Sequence, residues 1–132
     1  MSIGDWWKIT GWSGTFRLSR TISGSGARWG IGLANTAFGV RVEKEEMVVG
    51  MGRIFGDGAL FFEIVDIAVL PEHQGKGLGA IVMDALMAFL YENATPGAFV
   101  SPISFPGASG FYEIYGFETC PPESPGMSLI IR

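Results

Sequence analysis

The stretch Gln74-Gly75-Lys76-Gly77-Leu78-Gly79 has the residue types and spacing to hold an anion. It follows an apolar run ending at Val69-Leu70 and precedes a strongly patterned helical segment, so it reads as a glycine-rich turn joining a strand to a helix N-terminus. Such a junction directs free backbone N–H groups and the positive end of the helix dipole at whatever sits there. Two common cradles are excluded by spacing. No Gly stands where a Walker A loop must begin and no Ser or Thr follows Lys76. The glycines 75, 77 and 79 are spaced 2 and 2, whereas the dinucleotide fingerprint requires 2 and 3.

Two further groups nearby could move protons. Glu63 and Asp66 lie on the apolar run that leads into the loop, with Phe61, Phe62, Ile64 and Val65 around Glu63. Simple alternation puts these two carboxylates on opposite faces of a strand unless a bulge intervenes. His73 has no metal-spaced partner and reads as a surface residue, Cys120 lacks a neighbouring base, and no metal-ligand cluster is grouped in the sequence.

The elements that must position these groups follow from periodicity. Ala37–Glu43 and Met47–Phe55 read as strands joined by a charged turn at Glu43–Glu46, and Gly56-Asp57-Gly58 turns into a third strand over Ala59–Leu70. Leu78, Ile81, Val82, Ala85, Leu86, Phe89 and Leu90 recur at helical spacing, with Asn93 and Pro96-Gly97 as the stop. Ala98–Ile103 reads as a short strand and Pro106–Tyr115 as a second helix with Gly116 at C′. Met127–Ile131 reads as a closing strand. Upstream, a short helix is expected near Ile3–Ile9, irregular chain over 13–30 and one helical turn over Ile31–Thr36. The result is one α+β domain over residues 1–132, a mixed, mostly antiparallel sheet with packed helices.

Composition narrows the function. The 132 residues are 48% hydrophobic with net charge −4, enough for a core and against disorder. Basic residues gather early (Lys8, Arg17, Arg20, Arg28, Arg41), but acids dominate afterwards, which speaks against nucleic-acid binding. No apolar run is long enough for a membrane span and the first residues lack a secretory pattern. The single cysteine fits a reducing, cytoplasmic setting.

Asp66-Ile67-Ala68-Val69-Leu70-Pro71-Glu72-His73-Gln74-Gly75-Lys76-Gly77-Leu78-Gly79 resembles motif A of the GNAT superfamily of N-acetyltransferases, with Gln-x-x-Gly-x-Gly read at Gln74, Gly77 and Gly79. Phe111-Tyr112-Glu113-Ile114-Tyr115-Gly116-Phe117 resembles its motif B, and Val49-Gly50-Met51-Gly52-Arg53 its hairpin signature. The resemblance covers roughly residues 37–132. It implies helices on both faces of a sheet splayed at the strand before the glycine loop, and acetyl-CoA as the acyl donor. Gln74, Gly75, Lys76, Gly77, Leu78 and Gly79 would hold its diphosphate. A bulge near Ile67–Val69 would leave Ile67, Ala68 and Val69 lining the pantetheine arm.

Acetyl transfer to an amine needs a proton removed from the ammonium and one returned to the departing thiolate. By resemblance Glu63, eleven residues before Gln74, is the candidate base, with Asp66 and a water relay as rivals. Tyr112 is the candidate acid and also a cofactor contact. Many family members carry Asn seven residues before that tyrosine; here the position is Phe105, so that contact is lost. The acceptor implied is a small-molecule primary amine, with Trp6, Trp7 and Trp12 as a wall suited to an arylalkylamine. A homodimer is compatible with the family. A protein lysine or N-terminal acetyltransferase and a CoA-binding regulatory module without turnover are the alternatives.

Overall fold

Successive strands laid edge to edge give this chain its frame. The structure, a computed structural model, describes residues 35–132 together with two short upstream strands. It divides into two compact units, Met1–Pro102 and Ile103–Arg132, each described by itself.

The first unit holds a six-stranded sheet in sequential order, β1 (Trp7–Lys8), β2 (Phe16–Ser19), β3 (Phe38–Lys44), β4 (Met47–Gly56), β5 (Phe61–Val69) and β6 (Phe99–Pro102). All neighbours are antiparallel except β5 and β6, which are parallel across the helix α1 (Leu78–Asn93). The expected helix near Ile3–Ile9 is corrected at Trp7–Lys8, which pair as a strand with Leu18 and Arg17. Likewise Phe16–Ser19, expected irregular, pairs with Arg41–Lys44. Both cases show a free sheet edge overriding weak local preference. The Ile31–Thr36 turn falls largely outside the described residues, as do the side chains of Trp6, Trp7 and Trp12.

The β3–β4 hairpin turns on Glu45 and Glu46, both at positive φ (51° and 65°), the geometry of a two-residue primed turn. One face of the sheet carries the core. Val40, Val42, Ile54, Phe62 and Ile64 are buried there together with Leu78, Val82, Met83, Leu86 and Leu90 of α1. Phe38 stacks on Phe89 at 4.5 Å between ring centroids. No helix among the described residues is long and apolar enough to cross a membrane.

Asp57 ties the corner between β4 and β5. Its Oδ1 accepts N–H bonds from Ala59 and Leu60 at 2.8 Å and from Phe61 at 3.1 Å. Those bonds, that from Ala59 foremost, hold its carboxyl below the ordinary value of 3.8. A depressed folded-state value contributes stability above the unfolded value that is lost as pH falls through the folded one. Asp57→Ala is therefore expected to lower the urea midpoint at pH 7, and the gap to wild type should close once pH drops below 3.8. A gap that persists undiminished in acid would refute this role.

The second unit contains α2 (Ser109–Glu113). The helix expected over Pro106–Tyr115 is shorter because Gly107 sits at φ 84°, outside the helical region. Its end is as expected. Gly116 at φ 86° donates to the Glu113 carbonyl at 3.0 Å and Phe117 to that of Tyr112 at 3.4 Å, a Schellman closure. The strand expected at Met127–Ile131 is not formed. Met127, Leu129, Ile130 and Ile131 are all at least 79% exposed, and among the described residues of this unit no strand offers an edge to pair with.

Candidate active site

The site is built where β5 stops behaving as a regular strand. Along β4, Gly50 and Met51 face Val69 and Ala68, and then Arg53 faces Val65. Gly52 alone therefore opposes both Asp66 and Ile67, which is a β-bulge. Asp66 lies in the left-handed region at φ 55°, one of the few regions where Asp is tolerated better than most residues. The bulge resets the alternation. Ile64 is buried toward α1, and Ile67, three residues on, again reaches the α1 face beside Gly52, Val82 and Leu86. The family bulge expected near Ile67–Val69 thus begins one residue earlier, at Asp66.

On its other edge β5 pairs with β6 only from Phe61–Phe99 to Ile64–Pro102. Pro102 has no N–H to extend the ladder. From Val65 onward β5 leaves β6, and the sheet opens. Leu70 N–H donates to the Val49 carbonyl at 2.8 Å, so Leu70 faces β4 and, by strand alternation, the backbone groups of Val69 and Ile67 face the opening. Those of Ala68 face β4. The Val69 carbonyl accepts a 3.0 Å bond from Gln74 Nε2, leaving the Ile67 groups and the Val69 N–H directed into the gap. Of the three residues expected to line it, two present backbone there.

A single 3-10 turn, Pro71–His73, carries the chain from β5 to the glycine loop. Gly75 and Gly77 adopt φ 73° and 79°, and Gly77 is the N-cap of α1. The space where a Cβ would stand at Gly75 is open, with no atom within 4 Å. The first turn of α1 has no side-chain bond from its N-cap and no acidic residue, which suits an anion at that end of the helix. Lys76 is exposed on the loop, while Leu78 is buried and anchors the helix start. These residues fit a diphosphate, by left-handed glycines, a helix start without an acidic residue and an open cradle.

Glu63 is half-buried on the sheet face away from α1. It sits directly across from Phe55 on β4 and Ser101 on β6. Cross-strand partners share a face, so Phe55, Arg53, Val65, Phe61 and Phe99 surround it. Phe55, Phe61 and Phe99 are 40%, 61% and 56% exposed, and the last two have ring centroids 6.4 Å apart. This aromatic border was not foreseen; the period-2 pattern of Phe61 and Glu63 was its only signal. Asp66, the rival base, is drawn to this same face by the bulge, where its Oδ2 lies 2.5 Å from Arg53 Nε. Its carboxylate is already engaged.

Tyr112 lies in the second unit, half-buried among Phe111 (5.2 Å) and Phe117 (6.0 Å) ring contacts. Burial pushes its hydroxyl above the ordinary value of 10.0, so it keeps its proton throughout the neutral range. Tyr115 stacks edge-on with Phe111 at 5.7 Å.

A strand opened by a bulge, followed by a glycine turn at a helix N-terminus, is the arrangement expected of the family that the sequence motifs resemble. The chain belongs to the GNAT acetyltransferase family, whose domain model matches residues 35–119. It is 37% identical over 84 residues to serotonin N-acetyltransferase 2, chloroplastic, of Oryza sativa subsp. japonica, spanning 61% of this chain and 40% of that protein. It is 32% identical over 85 residues to GCN5-related N-acetyltransferase 2, chloroplastic, of Arabidopsis thaliana, spanning 64% and 32%. The chain thus spans well under half the length of these relatives. A solved Staphylococcus aureus protein described as a probable acetyltransferase superposes with TM-score 0.80 at 29% identity, covering 88% of this chain and 99% of that one.

Proposed function

We propose that this chain moves the acetyl group of acetyl-CoA to the primary amine of a small molecule by direct attack within a ternary complex, and that arylalkylamines are the favoured acceptors. The observation that carries the reading is Glu63, a half-buried carboxylate bordered by exposed Phe55, Phe61 and Phe99. An aromatic border beside a carboxylate suits a cation with an aromatic body. The similarity to a serotonin acetyltransferase supports the same class.

When bound, acetyl-CoA supplies the activated thioester carbonyl. The Gly75–Gly79 donors and Lys76 would hold its diphosphate, and the open edge of β5 at Ile67 and Val69 would bind the pantetheine arm as an added strand does. Glu63 takes the proton of the acceptor ammonium, leaving a lone pair to attack. By its motif B position alone, Tyr112 is the residue that would return a proton to the departing thiolate. Holding both reactants in place contributes much of the rate.

The test is a thiol-release screen of arylalkylamines, aliphatic amines, aminosugars and peptide N-termini, paired with calorimetry of acetyl-CoA. Turnover with the first group at the highest kcat/KM is the expected result. Turnover confined to peptides would move the acceptor to protein. Acetyl-CoA binding with no turnover of any amine would leave a regulatory module.

A further inference from the structure

The closest side-chain polar contact beside the opening, among the described residues, is the one between Arg53 and Asp66, and nothing in the transfer chemistry uses it. Arg53 lies on β4 directly across from Val65, the last β5 residue before the bulge. Its Nε meets Asp66 Oδ2, and its guanidinium also donates to Thr36 Oγ1 at 3.1 Å from the segment that leads into β3. Asp66 itself holds the left-handed backbone conformation on which the bulge depends.

We infer that Arg53 and Asp66 form a positioning pair that holds the bulge in its left-handed form and thereby keeps the edge of β5 open for the acyl donor. Three observations converge on this. The bulge sits where β5 parts from β6, two residues beyond Ile64, the last residue paired with Pro102. Without it, a regular register would place Asp66 opposite Gly52, on the crowded α1 face where even a Cβ at Gly52 would meet Val82 Cγ1 at 2.6 Å. The pair instead draws Asp66 to the far face, and Ile67 takes the place beside Val82 and Leu86. The Arg53 side chain is only 16% exposed and is held at Thr36 as well, so it offers Asp66 a fixed partner. Asp66 is on this reading a positioning residue, and the hairpin signature ending in Arg53 and the Asp that opens motif A are two halves of one device.

The inference rests on the proposed acetyl-CoA groove, so its test has one arm that needs the ligand and one that does not. Arg53→Met removes the donor and keeps the bulk. Asp66→Ala removes the acceptor and the left-handed preference, while Asp66→Asn retains an acceptor oxygen and tolerates the left-handed region. If losing the pair leaves the groove formed about a tenth of the time, apparent acetyl-CoA affinity falls about tenfold. Calorimetry is expected to show that loss for Arg53→Met and Asp66→Ala and near wild-type affinity for Asp66→Asn. Hydrogen exchange should speed up over residues 64–70 in the first two variants and stay unchanged in β3.

Wild-type affinity in Asp66→Ala, or exchange that rises equally throughout the sheet, would overturn the pair's role. A wild-type chain that binds no acetyl-CoA would refute the proposed function instead, and the exchange arm alone would then decide whether the pair holds the bulge.

Discussion

Glu63→Gln is expected to lower kcat for acetyl transfer by about a hundredfold, within the range typical of losing a positioned base, with the KM for acetyl-CoA unchanged. The substitution is isosteric, and Glu63 is fixed by pairing on both sides, across from Phe55 and Ser101. The variant therefore keeps the sheet and loses only the proton acceptor. The cofactor contacts proposed here, the Ile67 and Val69 backbone and the 75–79 loop with Lys76, lie elsewhere on the unit, which is why KM should not follow kcat. Steady-state thiol release over a range of pH is the measurement. An unchanged kcat and pH profile would hand the proton to water, since Asp66 is already held by Arg53.

Gly52→Ala should destabilise the first unit where α1 packs on the bulge. Its Cβ would stand 2.6 Å from Val82 Cγ1, 3.1 Å from Leu86 Cδ1 and 3.3 Å from Ile67 Cγ1. Val82 is β-branched and fully buried on a helix, so it has little rotamer freedom with which to yield. Relief requires α1 to lift or the bulge to shift. Overpacking of this kind costs about 2 kcal/mol, roughly 5–10 °C in Tm for a domain this size. Thermal unfolding of Gly52→Ala checks it, and adding Val82→Ala should recover part of the loss because it removes the atom in conflict. An unaltered Tm would mean that the helix sits less closely on β4 than its packing implies.

Local pattern and non-local pairing differed in how far they could be read ahead. The α1 stripe was legible because Leu78, Val82, Leu86 and Leu90 repeat at the helical period and a single packing face suffices to bury them. The β3–β4–β5 hairpins were legible from turn residues, and the glycine loop from its spacing. The rest depended on partners. Trp7–Lys8 became a strand through β2, whereas Met127–Ile131, rich in apolar residues, found no partner among the described strands of its own unit. Asp66 is the instructive case within the site. Period-2 reasoning sends it away from Glu63, and only the one-for-two register opposite Gly52 brings it back to that face. Glu63 needed no such correction, because it lies before the bulge, where the alternation still holds.

The parallel pairing of β5 with β6 has a consequence for how the molecule comes together. Adjacent antiparallel strands can zip from a tight turn, but this pair must close a long excursion through α1 before any of its bonds form. Chain-closure entropy makes such pairings slow to form. The glycine loop lies inside that excursion, and the gap in the sheet exists only once β6 has docked along Phe61–Ile64. The gap is therefore the product of that late event, and a partly folded chain without β6 in place lacks it.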